Sequence, residues 1–98
     1  MTHDEISKLS DKELNELIAK QRGWRKWRGM WASGSNPPDF CNSWQWAGEL
    51  LETINNPKLA RHGDFWICTA DSGMAHTCRA DSPTRAIAEA YAIMECVG

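Results

Sequence analysis

An α+β fold is predicted for this chain, a small antiparallel sheet covered by three helices. Residues 65–81 read as a β-hairpin around a Ser72-Gly73 turn, with Phe65, Ile67 and Thr69 on one face of the first strand and Trp66, Cys68 and Ala70 on the other. Three further stretches, about 11–22, 43–55 and 83–96, repeat apolar residues at helical spacing behind capping residues. A chain of 98 residues has room for one domain, 1–98, with a small core in which each large apolar side chain counts.

Residues 1–9 show no periodicity and are expected to be disordered. Ser10 and Glu13 then have capping-box spacing, with Leu9 and Leu14 at the staple positions around them. Leu14, Leu17 and Ile18 form the apolar stripe of a helix over 11–22, and Gly23 stops it. The segment WRKWRGMWASGSNPPDF, residues 24–40, is ambiguous. Trp24, Trp27 and Trp31 recur at helical spacing, while Gly29 and the SGSNPP run oppose a helix, so a strand near 24–31 or an ordered loop fits equally.

Asn42 is the expected N-cap of the second helix, with Gln45 at the reciprocal position and Cys41 and Trp46 as the staple. Ala47, Leu50, Leu51 and Ile54 mark its inner face; Trp46 and Trp44 cannot both share that face, and Trp44 is assigned to the periphery. Residues 57–64 read as a loop. In the hairpin, a two-residue Ser72-Gly73 turn sets Ile67 opposite Cys78 and Phe65 opposite Ala80, with Trp66 facing Arg79. A three-residue Asp71-Ser72-Gly73 loop shifts that register by one. Ser82-Pro83 opens the last helix, whose stripe is Ile87, Ala90, Tyr91, Met94 and Val97, with Ala86, Ala88 and Ala92 permitting close approach.

The order of these pieces resembles the phage ABA-sandwich domain family, small bacteriophage and prophage proteins. The matching residues are Gly23-Trp24, Pro37-Pro38, Phe40-Cys41-Asn42-Ser43-Trp44 with Ala47, Phe65-Trp66, and Ala80-Asp81-Ser82-Pro83 with Ala86-Ile87 and Ala90. Together they span roughly residues 10–96. The resemblance implies an antiparallel sheet covered by helices and a phage or prophage origin. It transfers no catalytic residue, and the basic RGWRKWR run is not a feature associated with the family.

Bulk composition narrows the function classes. A net charge of −2 argues against general duplex-DNA binding, which calls for a basic domain. No apolar run approaches membrane-spanning length, and the polar N-terminus does not read as a signal peptide. The expected location is therefore the cytoplasm of a bacterial host, with Cys41, Cys68, Cys78 and Cys96 reduced.

Tryptophan is the compositional outlier, six residues against two Phe and one Tyr. Between Lys20 and Arg28 there are five cations and no acid, interleaved with Trp24 and Trp27 and followed by Trp31. Arg22, Trp24, Arg25, Lys26, Trp27, Arg28, Trp31 and Trp44 are accordingly the candidate binding residues. Cations meet phosphate and indoles stack on bases, which suits a nucleotide or single-stranded nucleic acid. Trp and Arg are equally the commonest anchors of protein interfaces. A third arrangement plugs the core with the tryptophans and leaves the cation heads in water, and an exposed aromatic patch could also join a homodimer.

Other constellations are weaker. Cys68, Cys78, His62 and His76 are zinc-ligand types, but no C-x-x-C or H-x3-H pair is present, so no metal or other cofactor is expected. Asp64, Asp71, Asp81, His62 and His76 can be assembled on paper into an acid–base pair that nothing in the spacing fixes, so catalysis is not expected. The leading expectation is a non-enzymatic inhibitor that docks on a bacterial protein such as a defence-system or CRISPR component. A sponge for a nucleotide or cyclic-nucleotide signal, or a single-stranded nucleic-acid module, is the alternative.

Overall fold

Residues 83–97 form the helix on which every other element packs. The computed structural model describes residues 3–23, 38–54, 57–71 and 75–97. In chain order its elements are α1 (His3–Ser7), α2 (Asp11–Gln21), α3 (Trp44–Thr53), β1 (Lys58–His62), β2 (Phe65–Asp71), β3 (Ala75–Ala80) and α4 (Pro83–Val97). The strands form one antiparallel meander, β1-β2-β3, so the fold is α+β as the sequence predicts. Among the described residues no helix is long and apolar enough to cross a membrane.

The last helix starts where expected. Pro83 takes the first helical position, and the Arg85 backbone N–H donates to Ser82 Oγ at 3.2 Å. Its burial is wider than a stripe: Ala86, Ile87, Ala88, Ala90, Tyr91, Ala92, Ile93 and Met94 are all buried. A helix apolar all round is one enclosed on all sides. Here the sheet covers one side of α4, and α1, α2 and α3 cover the rest. Alanines at alternate positions keep the helix thin enough for both layers to close. The side chain of Val97 lies outside the described residues.

The capping box at α2 is formed in full: Glu13 N–H donates to Ser10 Oγ, and Ser10 N–H to Glu13 Oε1. The Ser10 backbone N–H, and after it the Ser10 hydroxyl, favour the ionised carboxylate and hold Glu13 below its ordinary pKa. Leu14 and Ile18 are buried, and Gly23 follows the helix at φ +84, the left-handed conformation a glycine stop supplies.

Four expectations are corrected. Residues 3–7, expected to be disordered, form α1, because Ile6 is 1% exposed against the core. Asn42 is not the cap of α3. The helix begins one residue later behind Ser43, which makes no side-chain cap bond, while the Asn42 amide donates to Asp11 Oδ2 and Asp39 Oδ1, both at 3.2 Å. The expected loop at 57–64 contains β1, whose single inward apolar residue is Leu59; it turns into β2 through Gly63-Asp64, with Gly63 at φ +63. The additional strand placed near 24–31 falls outside the described residues; β1 is the sheet's third strand.

The fourth correction is the hairpin register. Asp71 pairs Ala75, leaving three residues between the strands, 72–74, so Cys68 lies opposite Cys78, Ile67 opposite Arg79 and Trp66 opposite Ala80. Both registers considered from sequence are therefore displaced. Since side chains alternate faces, a slip of one residue exchanges the predicted partners' faces. The buried face carries Cys68, Ala70 and Cys78 under α4; Phe65 and Ile67 stand on the outer face, only half-buried.

Candidate functional site

Of the eight candidate binding residues, Arg22 and Trp44 are described; Trp24, Arg25, Lys26, Trp27, Arg28 and Trp31 lie outside the described residues. The residues flanking the intervening segment are held on α2, at its C-terminus and in its N-terminal half. Gly23 follows its C-terminus, where its N–H donates to Lys20 O at 3.1 Å. On the returning side, Asp39 accepts from Asn15 Nδ2 at 3.1 Å, and Cys41 N–H donates to Asn15 Oδ1 at 3.1 Å.

Arg22 is shared between fold and surface. Its backbone N–H caps α2 on Ile18 O at 2.9 Å, and its guanidinium carbon stands 5.8 Å from the centre of the Tyr91 ring. Nη2 is 4.0 Å from Glu49 Oε2, which links the end of α2 to α3. That contact is long and half-open to water, so it contributes little.

The structure separates the two tryptophans of α3. Trp46 turns inward and meets Phe40 edge-on, 5.8 Å between ring centres at 70°. Trp44 turns outward and is 58% exposed, the single exposed large hydrophobic side chain among the described residues. One turn along, Gly48 has no side chain, and nothing lies within 4 Å of where its Cβ would be. Leu51, two turns along, is half-buried. Trp44, Gly48 and Leu51 therefore make a short apolar strip with an indole standing at one end.

A polar cleft of about 650 Å³ opens elsewhere, between the α1–α2 junction and the near ends of β2 and β3. Ser10, Asp11, Asn42, Asp64, Arg79 and Asp81 are among its walls, with Arg85 and Glu89 at its base. Arg85 is already saturated. Nε donates to Glu89 Oε2 at 3.2 Å; Nη1 donates to Asp11 Oδ1 at 2.9 Å and to Cys41 Sγ at 3.7 Å; Nη2 donates to Leu9 O at 2.7 Å and Ile6 O at 3.4 Å. All five guanidinium N–H groups are used inside the protein, so this arginine organises structure rather than a ligand. Burial pushes the Glu89 carboxyl above its ordinary range, with the Arg85 charge opposing that shift.

On the outer sheet face, the Arg79 guanidinium lies 4.5 Å from the centre of the Phe65 ring, and the His62 ring stacks 6.1 Å from it at 15°. The Thr69 and Thr77 hydroxyls meet beside this pile at 3.4 Å. Arg79 thus pairs with Phe65, not with Trp66, a direct consequence of the register.

The cysteines are core residues. Burial pushes the Cys41 and Cys78 thiols up to about 12 and Cys68 to about 11. Such thiols carry almost no thiolate at neutral pH and are poor nucleophiles as they stand. Among the described residues no group of three or more His, Cys, Asp or Glu is placed to hold a metal ion. Of the five residues from which an acid–base pair could be drawn, the side chains of Asp71 and His76 lie outside the described residues; Asp64 and Asp81 stand at the cleft, and His62 on the outer face.

Sequence reasoning missed the Arg85 web. Its signal was present in the chain: Arg85 and Glu89, spaced i and i+4, are charges set among the apolar residues Ala86, Ile87, Ala88, Ala90 and Tyr91. No family model, curated protein or solved structure matches the chain in comparison.

Proposed function

We propose that this chain is a non-catalytic binding domain of phage or prophage origin that docks on a bacterial host protein, such as a defence-system or CRISPR component. The observation that carries the reading is Trp44, 58% exposed at the start of α3. In a chain that buries even Ile6 and Phe40 almost fully, a bare indole beside open ground at Gly48 is surface reserved for contact. In sequence the Trp/Arg run 24–31 begins two residues after Arg22, and Arg22 is bridged to Glu49 on the same helix as Trp44. Indole and guanidinium side chains are the residue types that anchor protein interfaces. Saturated Arg85 and the high-pKa buried thiols support a binding role over a chemical one.

Replacing both Arg25 and Arg28 with Glu is expected to abolish host-protein binding, measured by isothermal titration with the captured partner, while the thermal midpoint stays nearly unchanged. A large fall in the midpoint instead identifies the run as part of the core and removes it from the interface.

The Arg79–Phe65–His62 pile on the outer sheet face favours a second reading, sequestration of a nucleotide or a single-stranded nucleic acid, with cation on phosphate and rings on base. That reading predicts heat on titration with nucleotides, lost in Phe65→Ala. The docking reading predicts no heat.

A further inference from the structure

The register of the hairpin places Cys68 on β2 directly opposite Cys78 on β3. Directly opposed residues of an antiparallel pair hold their Cα atoms about 4.5–5.5 Å apart. A disulfide spans Cα separations of about 4.4–6.8 Å, so this pair needs no rearrangement of the strands. Both side chains leave the same face of the sheet, both are buried, and neither is in a disulfide. Cys41 is kept out of this pairing: it belongs to the helical layer, with its sulfur against Asp11 O and Arg85 Nη1, both at 3.7 Å.

We propose that Cys68 and Cys78 are a site of reversible disulfide formation, a cross-strand staple beneath α4. The oxidant is a small-molecule disulfide of the glutathione type. One cysteine loses its proton to solvent, and its thiolate attacks the oxidant, whose S–S bond breaks and releases one thiolate. The second cysteine, deprotonated in turn, attacks the resulting mixed disulfide at the protein sulfur and releases the second thiolate. Two protein thiols have then lost two protons and two electrons, and the oxidant has been reduced to two thiols.

Burial sets the rate. With α4 across the face and the thiols high in pKa, exchange proceeds through openings that lift α4 off the sheet. The staple is consequently slow to close in the native protein and faster wherever the α4–sheet contact is weakened. It joins strands on the far side of α4 from α3, so docking through Trp44 is unaffected by it, and the two ideas stand or fall separately.

The test uses full-length Cys96→Ser protein, reduced and then incubated with oxidised glutathione at neutral pH, in water and in urea below the unfolding midpoint. Free thiols are alkylated, and intact mass and peptide mapping follow. The expected product has lost about 2 Da, contains a linked Cys68–Cys78 peptide and one alkylated Cys41, and reverts with dithiothreitol. Its formation is faster in urea, and its thermal midpoint is higher than that of the reduced form, because the bond restricts the unfolded chain. Cys68→Ser in the same background is expected to form no internal disulfide. Three alkylated thiols in both conditions, a persistent mixed disulfide, or a bond to Cys41 overturns the proposal.

Discussion

Arg85→Ala is expected to destabilise the protein by about 3–5 kcal/mol, the cost of removing one partner from a buried ion pair, read from the urea midpoint. The side chain is 14% exposed and its acceptors come from four different places in the chain: Glu89 in α4, Asp11 at the start of α2, the Ile6 and Leu9 carbonyls around the α1–α2 junction, and Cys41 before α3. Alanine leaves Glu89, itself 4% exposed, as a charge with no cation beside it. Small domains hold only about 5–15 kcal/mol in total, so the loss is a large share of stability.

The pH dependence of that deficit is a separate check. Burial raises Glu89 above its reference value of 4.5. A raised native pKa contributes stability that is complete below the unfolded value and is lost as pH rises through the native one. Without Arg85 to oppose the shift, the native value rises further. The deficit of Arg85→Ala is therefore smallest below about pH 4.5 and grows towards neutrality. Adding Glu89→Leu in the alanine background recovers part of it, since the charge is gone, but leaves the Ile6 and Leu9 carbonyls without their donor.

Phe40→Ala is expected to cost about 3–5 kcal/mol in the same assay, through lost burial and the cavity left behind. Phe40 is fully buried, and its ring takes the inner tryptophan, Trp46, edge-on. Its N–H also closes a turn on Pro38 O at 3.0 Å, so the side chain seats the entry to α3. The neighbouring residues hold that entry by polar means. Asn15 bonds Cys41 N–H and Asp39, and Thr84 Oγ1 donates to Cys41 O. Near-UV circular dichroism is expected to change with the variant, while far-UV helix content is retained.

What the sequence made legible follows from where single residues decide. Ser10 with Glu13 and Ser82 with Pro83 are local devices, readable because cap chemistry acts within three residues. Strand β1 is not legible: in Lys58–His62 only Leu59 is partly buried, so an edge strand with one apolar contact has no period to read. α1 hides for the same reason, since Ile6 is its one core residue among those described. The hairpin register rests on the length of a turn, and the displacement it produced moved Phe65 outward and brought Cys68 to Cys78. The Arg85 web is not legible beyond its Glu89 pair because the other four acceptors lie 44 to 79 residues away, which spacing alone does not reveal. The Trp44 position was readable because α3 has room for one inward tryptophan, and Trp46 continues into its buried face.

The measurement closest to the central claim is native mass spectrometry of the gently purified protein from one bacterial lysate, run in parallel for the unaltered chain and for Trp44→Glu. Docking through the exposed indole predicts a host protein bound in stoichiometric amount to the unaltered chain and missing from the variant, with equal thermal midpoints for the two. A partner retained in full by Trp44→Glu, or a retained mass of a few hundred daltons in place of a protein, contradicts it.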